Sequence, residues 1–219
     1  MKSNQIYLDY NASTPTDERV VEAMLPYFNQ TFGNASSVSH TYGKDAQGAI
    51  EDSKSLIKKF ISAENTGDII FTSGATESIN LALRGLISSP KTQGNHIITS
   101  QTEHKAVVDT CKELKKEGVQ VTFLPVDKNG IIDTLELEEH ITPSTALISV
   151  IWANNETGVV QNMAEISKIA KKHGILLMSD ATQAIGKTEV NLNKVDIDLL
   201  AFSGHKIYGP NGIGVLYGK

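Results

Sequence analysis

Short runs of β-branched and aromatic residues alternate along the chain with longer segments whose apolar residues recur every three or four positions. The short runs are typical of buried strands and the longer segments of amphipathic helices. The predicted strands cover residues 69–72, 97–100, 119–126, 146–152, 175–179, 199–203 and 213–217. The predicted helices cover residues 17–25, 45–61, 77–83, 105–116, 135–140 and 163–173. This alternation of strands and helices predicts an α/β domain built on a mostly parallel sheet.

The last two predicted strands, at residues 199–203 and 213–217, follow each other without a helix between them. Parallel neighbours need a long crossover connection, whereas antiparallel neighbours can be joined by a short turn. We therefore expect at least one strand to run antiparallel to its neighbour. No repeat, low-complexity tract or flexible linker divides the chain. We expect an N-terminal segment at residues 1–15 and one domain at residues 16–219.

Composition and charge narrow the class of protein. Apolar residues make up 40% and charged residues 21% of the 219 residues, which is ordinary for a folded globular protein. Acidic residues outnumber basic ones by 25 to 20, and the net charge of −5 argues against a general nucleic-acid or acidic-membrane surface. Residues 1–6 contain no signal-peptide core, and no apolar run approaches the roughly 18 to 20 residues that cross a bilayer. We expect a cytoplasmic protein with no nucleic-acid or membrane partner.

The chain has one cysteine, Cys111. A single thiol excludes an internal disulfide and a cysteine-rich zinc cluster, and it favours a reducing compartment. We therefore expect no metal site.

Polar residues follow several predicted strands at the point where each strand ends. They lie at residues 73–76, 101–104, 153–156, 180–183 and 203–206. Ligands of open α/β sheets bind at the carboxyl ends of the strands, so these residues are the candidates for chemistry. The first group precedes a helix, where free backbone amides favour a phosphate, although such a turn is also a common strand-to-helix connection.

Asp180 and Lys206 each have an ordinary and a chemical interpretation. An aspartate after a buried strand either caps the next turn or faces a cation or several donors, because an isolated buried carboxylate is costly. A lysine is usually solvated, but at a strand end it can also form a Schiff base. A phosphate cradle, an imidazole, amides, a carboxylate and an amine are together the groups that pyridoxal 5'-phosphate (PLP) requires. The sequence therefore predicts a PLP site.

The same positions carry a family resemblance. The matching strings are YLDYNASTP at 7–15, FTSGATES at 71–78, TEHK at 102–105, ANNETG at 153–158, DATQ at 180–183 and SGHKIYGP at 203–210. In these strings the chain resembles the cysteine desulfurases of the class V aminotransferase group, of the iron–sulfur cluster assembly type. It departs from them at Ser13, Thr157 and Thr182, where Thr, Ile and Ala are more usual. The resemblance implies the large domain of the PLP-dependent transferase fold type I, with helices on both faces of the sheet and the C-terminal small domain absent.

The resemblance also implies a role for each candidate residue. Lys206 resembles the Schiff-base lysine that moves protons at the substrate α-carbon, and His104 resembles the imidazole that stacks on the ring and assists proton transfer. Asp180 resembles the partner of the pyridinium nitrogen, and Gln183 the donor to the phenolic oxygen. Asn155 resembles the residue that helps to hold the substrate carboxylate and a cofactor oxygen. The residues that resemble the phosphate site are Gly74, Ala75, Thr76, Ser203 and His205.

Members of this family convert L-cysteine to L-alanine and a persulfide, act as homodimers, and pass sulfur to an iron–sulfur scaffold or another acceptor, including acceptors for tRNA thiolation. The persulfide cysteine lies downstream of the matched strings, and Cys111 falls in a predicted helix, where a free cysteine is usually a packed hydrophobe. Arg19 and Arg84, the two arginines, also fall on predicted helices, so neither is expected to bind the substrate carboxylate. We therefore expect the N-terminal portion of such an enzyme, inactive by itself.

Two alternatives stay open. The chain could belong to another enzyme of the same fold, such as a selenocysteine lyase or an aminotransferase, which the close match to the assembly-type strings disfavours. It could also be a non-catalytic fragment that binds PLP weakly or interacts with a full-length paralogue.

Overall fold

The structure, a computed structural model, describes residues 5–219, so the first four residues of the predicted N-terminal segment lie outside it. The helices are α1 (Glu18–Asn29), α2 (Thr41–Phe60), α3 (Ala75–Ser88), α4 (Lys105–Lys116), α5 (Thr134–Glu139) and α6 (Met163–His173). The strands are β1 (Asp68–Thr72), β2 (His96–Ser100), β3 (Gln120–Leu124), β4 (Thr145–Ser149), β5 (Leu176–Asp180), β6 (Leu199–Ser203) and β7 (Gly214–Gly218). Every predicted strand and helix is present.

The described strands form one sheet in the order β1-β7-β6-β5-β4-β2-β3. Strand β7 pairs antiparallel with both β1 and β6, and the remaining pairs are parallel. The predicted antiparallel strand is therefore confirmed. Since β7 alone runs in the opposite direction, the ends of β1, β2, β4, β5 and β6 meet at the same edge of the sheet as the start of β7.

Helices cover both faces of the sheet, as predicted. Ile97 and Ile98 are neighbours on β2 and point to opposite faces, so each belongs to a different buried cluster. On the face of Ile97 the cluster includes Leu83 of α3 and Val107 of α4. On the face of Ile98 it includes Ile166 of α6. The central strands β2 and β4 are buried at every residue, which is typical of parallel strands covered on both sides.

Some element boundaries differ from those predicted. Strand β3 ends at Leu124 and not at residue 126, because β2, its one sheet partner among the described residues, ends at Ser100, the residue paired with Leu124. Helix α2 begins four residues before the predicted start, at Thr41. The side chain of His40 caps it, accepting a hydrogen bond from the amide of Gly43 at 3.2 Å. A histidine cap is a weak sequence signal, since Ser, Thr, Asp and Asn are the common N-cap residues.

Helices α1 and α2 are largely exposed. Helix α1 has no buried residue, and the predicted apolar stripe of α2 is buried only at Ala46, while Leu56 and Phe60 on the same stripe are exposed. Helix α2 is the longest helix, at 20 residues, and it carries charged residues along its length. No helix within residues 5–219 is both long enough and apolar enough to cross a membrane.

Candidate cofactor site

A cavity of about 460 Å³ lies at the edge of the sheet where the parallel strands end. This volume is in the range of small-molecule sites. All ten predicted site residues line it: Gly74, Ala75, Thr76, His104, Asn155, Asp180, Gln183, Ser203, His205 and Lys206. The structure thus brings residues from distant parts of the chain to one cavity.

The turn between β1 and α3 forms one wall of the cavity. Gly74 precedes the helix and provides no side-chain cap, and the first amides of a helix have no intrahelical acceptor. The carboxylate of Glu77 accepts hydrogen bonds from the amide and hydroxyl of Ser73, at 2.6 and 2.7 Å. These bonds close the turn and lower the pKa of Glu77. The free amides and the dipole of α3 make this wall suitable for an anion.

Asp180 ends β5 and is only 2% exposed. Its Oδ1 accepts a hydrogen bond from the amide of Thr182 at 2.9 Å. Burial raises the pKa of Asp180, and the hydrogen bonding of Thr182 and the charges of His104 and Lys206 act in the opposite direction. The capping interpretation is therefore correct in part, since the carboxyl group accepts one amide and also faces the cavity.

Lys206 lies in the single 3-10 turn that follows β6. Its Nζ donates to the carbonyl oxygens of Asn11 and Ala12, at 2.5 and 2.8 Å. Burial lowers the pKa of this amine, and the negative charges of Asp9 and Asp180 raise it. The amine is thus partly desolvated and held by acceptors, which is unlike a freely solvated lysine.

The acceptors for Lys206 belong to a stretch that we call the N-terminal strap, residues 9–17. Thr14 anchors the strap, because its amide and its hydroxyl both donate to the carbonyl of His205, each at 2.9 Å. The Thr14 hydroxyl in turn accepts from the amide of Tyr208 at 2.8 Å. Tyr208 has a φ of 62°, a left-handed conformation that a non-glycine residue keeps only where its surroundings hold it. The strap therefore fixes the loop that carries Lys206.

His104 precedes α4, and its Nδ1 accepts a hydrogen bond from the amide of Ala106 at 3.1 Å. In the neutral ring the proton is therefore on Nε2. The preceding residue, Glu103, is 8% exposed, and its Oε1 accepts from Ser100 Oγ at 2.7 Å and from the amide of Ile151 at 2.9 Å. Burial raises the pKa of Glu103 to about 8. Glu103 therefore connects the end of β2 to the residues that follow β4.

Asn154 also connects the turn that follows β2 to the turn that follows β4. Its Nδ2 donates to the carbonyl of Thr102 at 2.7 Å, and its Oδ1 accepts from the amides of Glu156 and Thr157, both at 2.9 Å. The neighbouring Asn155 lines the cavity, where its Nδ2 donates to the carboxylate of Glu156 at 2.8 Å. The turn that holds Asn155 is therefore tied to the turn that holds His104.

The sequence interpretation gave no role to several residues that build the site. Ser73, Glu103 and Asn154 were among the strand-end candidates without a role, whereas Asn11, Thr14 and Glu77 lay only within the family strings. Ser73 with Glu77 is a serine followed by an acid in the first helical turn, which resembles a capping signal. Glu103 and Asn154 lie within quoted strings, but nothing local distinguishes them from solvated turn residues. Only the assembled strand ends show what they contact.

The residues considered for sulfur transfer and carboxylate binding lie elsewhere. Cys111 is fully buried on α4, and burial raises the pKa of its thiol to about 12. Arg19 pairs with Asp17 at 2.8 Å, and Arg84 pairs with Glu117 at 2.9 Å. None of the three is among the residues that line the cavity within the described part of the chain.

Residues 6–219 match the class-V aminotransferase family. The chain is 51% identical over 212 residues to the cysteine desulfurase IscS of Rickettsia massiliae (strain Mtu5), and equally to that of a Neisseria meningitidis serogroup C strain. Each alignment covers 97% of this chain and 52% of the relative, so the chain spans about half the length of these curated relatives.

Solved structures give the same result. A NifS-like protein superposes with a TM-score of 0.93 at 37% identity, over 98% of this chain and 59% of that one. SspA in complex with cysteine superposes with a TM-score of 0.92 at 40% identity, over 97% of this chain and 61% of that one. The mostly parallel sheet and its helices match the PLP-dependent transferase fold. The chain belongs to the class-V aminotransferase family.

Proposed function

We propose that this chain forms the PLP-binding part of a cysteine desulfurase, which converts L-cysteine to L-alanine and a persulfide. One observation carries the proposal. A partly desolvated amine on Lys206, the buried carboxyl group of Asp180 and the uncapped N-terminus of α3 line the same cavity. The similarity to cysteine desulfurases supports the choice of L-cysteine over other amino acids.

The cavity also has unused hydrogen-bonding capacity that fits the cofactor. The hydroxyl group of Ser203 is buried and has no hydrogen-bond partner within residues 5–219. Buried polar groups are normally paired, so an unpaired hydroxyl on a residue that lines the cavity favours a polar ligand. Donors for a phosphate, an acid for a pyridine nitrogen and an amine for a carbonyl carbon are all present.

When bound, PLP supplies an electron sink for bonds at the substrate α-carbon. Lys206 would hold the cofactor covalently and move a proton at that carbon, while Asp180 would keep the pyridine nitrogen protonated. The ring of His104 would lie on the cofactor and exchange a proton through Nε2, and Gln183 would donate to the phenolic oxygen. Asn155 would help to hold the substrate carboxylate. The phosphate would be bound by Gly74, Ala75, Thr76, Ser203 and His205.

We further propose that the whole enzyme, of which this chain is a part, is a cytoplasmic homodimer. The enzyme passes sulfur to an iron–sulfur scaffold or to an acceptor for tRNA thiolation, and residues 16–219 are its PLP-binding domain. Sulfur transfer needs an accessible thiol, and carboxylate binding is best served by an arginine. Within residues 5–219 neither Cys111 nor either arginine lines the cavity, so this chain alone binds the cofactor without turnover.

The experiment is to add PLP to the purified chain, reduce with borohydride and map the modified peptide by mass spectrometry. We expect a visible absorption band and a label on Lys206. Lys206→Ala should lose both, while Lys219→Ala, an exposed lysine paired with Asp196, should keep both. An unchanged spectrum in Lys206→Ala would rule out the assignment. The reaction products of an active full-length relative distinguish the two enzyme classes. A desulfurase gives alanine and a persulfide, whereas an aminotransferase gives a keto acid.

A further inference from the structure

Lys187 contacts the predicted site, although no role in the site has been assigned to it. The amide of Ala184 donates to the carbonyl of Ala181 at 2.9 Å, and the amide of Lys187 donates to the carbonyl of Ala184 at 3.0 Å. These two hydrogen-bonded turns lead the chain from Ala181 to Lys187. Gly186 has a φ of 74°, a conformation that glycine adopts readily. The chain can therefore turn at Gly186 and direct Lys187 back towards Gln183.

Two partners hold the side-chain amide of Gln183 from opposite ends. The Nζ of Lys187 donates to Oε1 of Gln183, and Nε2 of Gln183 donates to the carbonyl oxygen of Asn11 at 2.9 Å. The Lys187 ammonium also reaches Oδ1 of Asn11, at 3.4 Å. Lys187 thus contacts the Asn11 side chain and Gln183 contacts the Asn11 main chain, so the three residues are linked to one another. The same main-chain carbonyl of Asn11 also accepts from Lys206.

The chemistry of the two partners leaves one orientation for the amide. An ammonium group can only donate and a backbone carbonyl can only accept. If the Gln183 amide were flipped, its oxygen would face the Asn11 carbonyl and its NH₂ would face the Lys187 ammonium, and both contacts would be repulsive. In the observed orientation one N–H of Gln183 is used by Asn11. The second N–H has no acceptor within residues 5–219 and is available to a ligand in the cavity that Gln183 lines.

In the described part of the chain, Lys187 donates to neutral oxygen atoms and not to a carboxylate. Within residues 5–219 Lys187 pairs with no carboxylate, whereas the nearby Lys194 pairs with Glu189 at 2.6 Å. Lys187 therefore uses its ammonium group on amide oxygens of Gln183 and Asn11. Burial and the charge of Lys206 lower its pKa, in keeping with its position beside the cofactor lysine.

We propose that Lys187, together with Asn11, is a positioning residue that holds Gln183 with an N–H directed at an acceptor oxygen of the cofactor. This inference rests on the proposed PLP site, because the amide of Gln183 can be directed at the cofactor only if the cofactor binds there. Lys187 has no contact of its own with the cofactor. Lys187 acts entirely through the amide of Gln183.

The first test needs no cofactor. In ¹⁵N-labelled chain without PLP, Lys187→Met should shift the side-chain amide resonances of Gln183, and Lys187→Arg, which keeps a charged donor, should largely restore them. Lys194→Met is the matched control, since it removes an exposed lysine of the same loop region and should leave these resonances unchanged. Lys187 belongs to neither buried apolar cluster, so these substitutions leave the core intact. Lys187→Ala serves as a second variant.

The second test measures the dissociation constant of PLP by its visible band. Loss of one hydrogen bond that orders an amide should weaken binding about three- to tenfold in Lys187→Met. In a Gln183→Ala background the same substitution should add nothing, because the group through which Lys187 acts is gone.

The outcomes separate the two proposals. Unchanged Gln183 resonances in Lys187→Met, or an effect on PLP affinity that adds in full to that of Gln183→Ala, would overturn the role of Lys187 while PLP binding stands. A chain that shifts its Gln183 resonances as expected but shows no visible band with PLP would contradict the proposed function, and the role in orienting Gln183 for the cofactor would fail with it.

Discussion

Gly214, the first residue of β7, lies so close to Gly74 that a β-carbon at position 214 would be 2.3 Å from the Gly74 carbonyl carbon. The same β-carbon would be 2.6 Å from Oγ1 of Thr72. The Gly74 atom belongs to the backbone, so the clash cannot be relieved by turning a flexible side chain. The antiparallel strand therefore packs directly against the turn proposed to bind phosphate.

Gly214→Ala should move this turn away from β7. We expect the affinity for PLP to fall by about tenfold or more and the free energy of unfolding to fall by about 1–3 kcal/mol, as for other overpacked sites. PLP titration and urea denaturation measure the two effects. Gly218→Ala, at the other end of the same strand, is the control, because its nearest neighbour would be a Leu199 side-chain atom at 3.7 Å. Wild-type PLP affinity in Gly214→Ala would show that β7 does not position the turn.

Glu103 should make the stability of the chain depend on pH. Its pKa is about 8 in the folded protein, against 4.5 for an unperturbed glutamate, because burial disfavours the charged form. Between these values the folded state binds a proton that the unfolded chain releases. The free energy of unfolding therefore falls as the pH rises through this window, by up to about 1.4 kcal/mol per pH unit from this group. Below this pH window Glu103 is protonated in both states, so its contribution to the free energy of unfolding is constant.

Glu103→Gln keeps an acceptor for the amide of Ile151 and cannot ionise. Urea denaturation of this variant from about pH 5 to 8 should therefore give a flatter curve than the unaltered chain. Asp180, whose pKa burial also raises, should supply the slope that remains. Glu113→Gln, at an exposed residue paired with Lys116, should leave the slope unchanged. Parallel curves for Glu103→Gln and the unaltered chain would contradict the ionisation of Glu103 in this range.

Cys111 should be inert in the folded chain. Its thiol is fully buried and its pKa is raised to about 12, so almost no thiolate is available at neutral pH. Iodoacetamide should label Cys111 in urea and leave it unlabelled in buffer over the same time. With PLP and L-cysteine, the chain and its Cys111→Ala variant should both fail to release sulfide in multiple turnovers. Fast labelling in buffer, or sulfide release that Cys111→Ala abolishes, would reverse this assignment.

Much of the fold could be predicted because it follows from local signals. The spacing of apolar residues distinguishes helices from strands within a window of about a dozen residues. The missing helix between β6 and β7 already required an antiparallel strand. The same signals place Asp180 and Lys206 directly after strands, and the geometry of parallel sheets brings such residues to one edge. The candidate site was therefore visible before its geometry was known.

Local sequence patterns are enough to give the order and type of the elements and the set of polar residues at the strand ends. The three-dimensional fold decided that Lys206 bonds to Asn11, 195 positions away, that Glu103 is buried between two strand ends, and that α1 and α2 leave most of their apolar residues exposed. Local patterns record the preferences of neighbouring residues. Contacts between distant residues form only when the strands assemble into the sheet and bring particular loops together. Burial and hydrogen bonding at the site depend on these partners from elsewhere in the chain.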